Sequence, residues 1–120
     1  MDAQQRRYRN RPIISPGGGG VSRNAGNPVI SNISSGTPNA NDATITWDTD
    51  IVADSQIFWG LTTAYGGASS PIMDFTYVTT PHSVQITGLT ANTEYNYKIL
   101  SRTPGGTYTF SANQTFTTAL

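Results

Sequence analysis

Residues able to do chemistry are scarce in this chain of 120 residues. His82 is the single histidine, and there is no cysteine. Disulfides, thiolate nucleophiles and thiolate metal sites are therefore excluded. An imidazole is the usual general base near neutral pH, but His82 has no second histidine to share a metal and no recognisable nucleophile. It is read as a surface or packing residue at the start of a strand. Asp48, Asp50 and Asp54 crowd together in "WDTDIVAD", and three carboxylates so close could hold calcium. The stretch lacks the glycine and the bidentate glutamate of a calcium loop, so a solvated turn between two strands is expected. Paired carboxylates for glycoside hydrolysis would need a cleft. The glycine run Gly17–Gly20 lies in a tail and not between a strand and a helix, so no phosphate loop is expected. No catalytic, cofactor-binding or metal residue is assigned: neither an enzyme nor a cofactor is expected.

What stands out instead is "RRYRNRPIISPGGGG" near the start of the chain. The formal net charge is zero, yet the charges are segregated. Residues 1–26 carry five arginines against Asp2, a balance of +4, whereas residues 27–120 carry Lys98 and Arg102 against six carboxylates, a balance of −4. A basic arm on an acidic body is an argument about partners, not about fold. Nucleic acid could use the arginines, with Tyr8 stacking on a base. The acidic body would be repelled, however, and four or five arginines alone bind weakly and in a salt-sensitive way, so a nucleic-acid partner is not expected. A membrane surface would need more charge or an apolar face. A protein surface fits best, because guanidinium groups pair bidentately with carboxylates and "RPIIS" could add as a strand to a sheet edge. The expected docking residues are Arg6, Arg7, Tyr8, Arg9, Arg11, Pro12, Ile13 and Ile14. Exposed aromatics (Phe58, Tyr65, Phe75, Tyr77 and Tyr108) keep a sugar-stacking alternative open.

The elements that must position these residues follow from composition and periodicity. Residues 1–26 hold too little apolar surface to fold alone, and Gly17–Gly20 makes a flexible joint. From residue 27 the texture becomes short β-patterned runs separated by turn clusters, as in an antiparallel sandwich. Seven strands are predicted: Pro28–Ile33, Ala43–Asp48, Ser55–Gly60, a short edge strand Asp74–Thr80, His82–Leu89, Glu94–Thr103, and Thr107–Thr118 with a bulge near Ser111–Asn113. Period-2 alternation points Ile45 and Trp47, Ile57 and Trp59, Val84 and Ile86, and Tyr95, Tyr97 and Ile99 inward. Leu89 completes the predicted core. Gln56 and Phe58 point outward. No helical period survives in 27–120.

"ATITWDTDIVADSQIFWG", "HSVQITGLTANTEYNYKILSRTPGG" and the closing "QTFTT" together resemble a fibronectin type III domain, of the bacterial or phage type. They are similar in texture to the fibronectin-like module of purple acid phosphatases. Trp47 sits where the family keeps a core tryptophan, and Leu89, Thr93 and Tyr95 match its Leu-x-x-x-Thr-x-Tyr pattern. The resemblance covers about 27–120 and implies an all-β, seven-stranded antiparallel sandwich with an extended N-terminal arm, residues 1–26. It also implies that the Tyr95 hydroxyl closes on upstream backbone. No metal ligands carry over, since those of the phosphatases belong to a separate catalytic domain. No apolar stretch follows the arginines to make a signal peptide, which suits manufacture in a host cytoplasm. By analogy, the expectation is a structural subunit on a virion surface: a phage capsid or tail decoration protein docked by its arm, with no small-molecule substrate. The alternative is an extracellular glycan- or cell-surface-binding adhesion module.

Overall fold

A computed structural model describes residues 26–120. The arm up to Ala25, with all eight expected docking residues from Arg6 to Ile14, lies outside the described residues. The rest forms eight strands and, among the described residues, no helix: β1 (Ile30–Ser34), β2 (Ala43–Thr49), β3 (Ala53–Gly60), β4 (Ile72–Val78), β5 (His82–Ile86), β6 (Glu94–Arg102), β7 (Tyr108–Phe110) and β8 (Gln114–Thr117). They build two antiparallel sheets. One has the order β1-β2-β5; the other has the order β4-β3-β6-β7, with β8 also pairing with β6.

The alternation that marks each strand is what joins the sheets. From one sheet Ala43, Ile45, Trp47, Val84 and Ile86 face Ile57, Trp59, Tyr95, Tyr97, Ile99 and Phe116 of the other, and Leu89 closes the cluster. All of these side chains are buried. The aromatic members stack tilted or edge-on, with Trp59–Tyr95, Tyr95–Phe116 and Tyr97–Phe116 centroids all 5.7 Å apart, the spacing such rings favour. The Thr90 N–H donates to the Tyr95 hydroxyl at 2.9 Å, so the tyrosine corner closes on backbone five residues upstream.

The last predicted strand is divided. Residues 107–118 do not run as one bulged strand: β7 and β8 are separate stretches on the same partner, β6. At the break the Ser111 N–H donates to the Ile99 carbonyl at 2.8 Å, and the Ile99 N–H donates to the Ser111 hydroxyl at 2.9 Å. A side-chain oxygen has replaced a main-chain acceptor, which satisfies the ladder while letting the backbone leave it.

The chain enters and leaves at opposite poles. The Val29 N–H donates to Asp50 Oδ1 at 2.7 Å, just beyond the Thr49 end of β2. The Ala119 N–H donates to the Asn39 carbonyl at 3.1 Å, before the Ala43 end of the same strand.

Candidate functional site

Three places in the sandwich gather polar or exposed apolar groups. The first surrounds His82, which is fully buried. Pairing of Trp47 with His82 across β2 and β5 stacks the imidazole flat on the indole, 5.1 Å between centroids and 5° between planes. His82 Nε2 lies 2.8 Å from Thr49 Oγ1, and Nδ1 lies 2.7 Å from Ser55 Oγ. The Thr49 hydroxyl donates to the Ile51 carbonyl, so it must accept from Nε2–H, which leaves Nδ1 to accept from the Ser55 hydroxyl. Burial holds the His82 pKa below its ordinary value, against the partial pull of Asp48, Asp54 and Asp74. Ser55 beside a histidine looks like a nucleophile and its base. The third group is a threonine hydroxyl and not a carboxylate, and both Ser55 and His82 are shut off from solvent. A substrate has no route to either atom, so the cluster is a packing device.

The three aspartates of "WDTDIVAD" do not converge. Asp48 is half-buried on β2 and accepts from Asn32 Nδ2 at 2.8 Å and from the Thr80 hydroxyl. These two bonds hold its pKa below the usual aspartate range. Asp50 accepts from the Val29 N–H. Asp54 corrects the expectation of a solvated turn, since it lies inside β3 and is fully buried. Its carboxylate accepts from the Arg102 N–H at 2.9 Å and from Gln56 Nε2 at 3.0 Å, with Arg102 Nε 3.8 Å away. No metal-binding group of three His, Cys, Asp or Glu side chains forms among the described residues.

The second place is the outer face of the five-stranded sheet. The register places Gln56 beside Met73 and Leu100, Phe58 beside Lys98, Leu100 beside Phe110, and Arg102 beside Tyr108. Phe75 and Tyr108 are more than half exposed, and Met73, Tyr77 and Phe110 nearly so. Phe58 and Tyr65 are half-buried. Lys98 Nζ sits over the rings of Phe110, Tyr65 and Phe58, 4.3, 5.2 and 5.6 Å from their centroids, a cation–π cluster. The rings are not coplanar: Phe58 and Phe110 are inclined at 56°, Tyr108 and Phe110 at 82°. Met73 and Phe110 join the aromatics expected from sequence; alternation with Tyr108 could have found Phe110. Gln56 faces outward as expected yet is buried, because Met73, Phe75, Leu100, Arg102 and Tyr108 wall it in.

The third place is a groove of about 410 Å³ lined by the start of the described chain and by β7 with the break that follows it. Val29, Ile30, Ile33, Phe110 and Ala112 make it apolar. It runs between β1 and β7, each the last strand of its sheet on that side. At one end the Thr109 hydroxyl bridges the gap to the Pro28 carbonyl.

Comparison with known proteins agrees on the fold. The family model for the purple acid phosphatase N-terminal domain matches residues 28–118. Among solved structures, the fibronectin type III domain of human fibronectin type III domain containing protein 3 superposes with a TM-score of 0.57 at 13% identity, covering 82% of this chain and 91% of that one. A myokine structure gives 0.55 at 20% identity, with 81% and 100% covered. A redesigned β-sandwich protein gives 0.54 at 22% identity, with 79% and 96% covered. No curated protein sequence matches.

Proposed function

Because the chain belongs to the purple acid phosphatase N-terminal domain family, whose fibronectin-like sandwich is not the catalytic domain, we propose that it is a non-enzymatic docking module. In this reading residues 6–14 hold a larger protein assembly and the sandwich is displayed. The assembly is a phage capsid or tail, which puts the domain on the virion surface. The observation that carries the reading is the charge split, +4 in residues 1–26 against −4 in the body.

Ordering an extended segment costs about 1–2 kcal/mol per residue, and exposed ion pairs return about 0–1 kcal/mol each. The arginines therefore steer, while Tyr8, Pro12, Ile13, Ile14 and backbone pairing hold. Co-sedimentation with the candidate particle across a salt series tests this. Ile13→Asp with Ile14→Asp releases the full-length chain at every salt concentration. Arg6, Arg7, Arg9 and Arg11→Ala weakens binding chiefly by removing its salt dependence. Binding unchanged by both sets of substitutions would make the sandwich the docking surface and end this reading.

The exposed Phe75, Tyr77 and Tyr108 favour a second reading, adhesion to glycan or cell surface. Its test is binding of the full chain to a glycan array, lost on Tyr108→Ala and Phe75→Ala but indifferent to the arm. The inclined rings weigh against it, since sugars stack on flat platforms.

A further inference from the structure

The groove between β1 and β7 has features the sandwich itself does not use. Both strands present a main-chain edge with no strand partner among the described residues. Between these edges Val29, Ile30, Ile33, Phe110 and Ala112 form an apolar floor open to solvent. Val29 and Phe110 are exposed, and Ile30 and Ile33 are only partly covered by the core. An unpaired edge over an apolar channel is a template for an extended apolar strand. We propose that the occupant is the chain's own segment Pro12–Ser15, folded back in cis onto the seam from which the chain emerges.

Length and sequence agree on this occupant. Twenty-five residues precede Gly26, and their one apolar cluster is Pro12-Ile13-Ile14. Asn27 and Pro28 line the groove themselves, so the segment starts at its mouth. The ten residues between the segment and Gly26, 16–25, form the tether. Ten residues span at most about 33–36 Å, against about 17 Å for the length of β1. A linker long enough to reach its site gives an effective concentration on the order of millimolar. A second copy would have to exceed that concentration to compete. The inference rests on the preceding reading only in taking Pro12, Ile13 and Ile14 as docking residues; it adds where they sit before a partner competes for them.

The test uses the free full-length chain. Because the chain has no cysteine, Ser15→Cys carries a nitroxide at one defined position, and its paramagnetic broadening is read on backbone amides. Docking in cis broadens Val29–Ile33 and Thr109–Ala112 selectively. Ile13→Asp with Ile14→Asp removes the pattern and speeds hydrogen exchange at those amides by about tenfold or more, leaving β2 and β5 unchanged. Uniform or absent broadening, or a pattern that survives the aspartates, overturns the proposal. Broadening that appears on isotope-labelled chains without a nitroxide when they are mixed with spin-labelled, isotopically silent chains shows exchange between copies and also overturns it. None of these outcomes depends on a particle. A failed seam leaves the co-sedimentation result standing, and a failed co-sedimentation leaves the seam.

Discussion

Mild acid should destabilise this sandwich through one residue. His82 is buried neutral, its Nε2–H given to Thr49 and its Nδ1 accepting from Ser55, and burial lowers its pKa in the fold. The unfolded chain binds a proton at this ring below about pH 6.5, whereas the folded chain resists it. The stabilisation is complete above that value and is lost as pH falls from there toward the lower folded pKa. One proton taken up on unfolding gives a slope of at most about 1.4 kcal/mol per pH unit. At about 4–8 °C per kcal/mol for a domain of this size, the melting temperature should fall between pH 6.5 and 5.5, by several degrees at most. The carboxylates that face the ring, Asp48, Asp54 and Asp74, soften the drop by favouring the imidazolium. Asp48 and Asp74 are themselves held below their usual 3.8, so their own contribution is lost only near and below pH 4. His82 is the only histidine, which makes thermal melts from pH 7.5 to 5 a clean assay. His82→Gln should be less stable at pH 7.5, having lost the stack on Trp47, and should show a flat profile down to pH 5. A wild-type profile flat over that range, or a variant that keeps the slope, would refute the argument.

Trp47→Ala should cost about 3–5 kcal/mol, a large part of the 5–15 kcal/mol usual for a domain, and denaturant titration will show it. Tyr95→Phe leaves the Thr90 N–H without its acceptor and should cost about 1–3 kcal/mol with the core volume unchanged, again read by denaturant titration. Gly67→Ala would place a methyl 2.6 Å from the Trp59 indole; it should destabilise by about 1–3 kcal/mol and shift the tryptophan emission.

The strands were legible because burial on one face writes period 2 into the sequence, and "ATITWD" or "EYNYKI" carries it without interruption. The tyrosine corner was legible from a short local pattern. The division of the last strand was not, since it depends on the Ser111 hydroxyl meeting the Ile99 N–H twelve residues upstream. Asp54 reads as one of three turn aspartates, and its burial is decided by the Arg102 backbone 48 residues away. Likewise the clasp of the 61–71 loop on Trp59 depends on tertiary contact: the Gly67 N–H donates to the Trp59 carbonyl, and the Trp59 N–H to the Ser70 hydroxyl. Alternation marked Gln56 as outward and could not show that neighbouring strands roof it over.

Because the chain enters beside Thr49 and leaves beyond Ala43, a pull applied between its ends runs along the strands. β1 and β8, the first and last strands, would then be loaded in shear, so that the rungs of each ladder share the force and must break together. Peeled from one end, the same rungs would yield in turn. A sandwich tethered at one pole and tugged at the other is thus placed in its mechanically stiffer direction, and force spectroscopy along and across the strands would measure the difference.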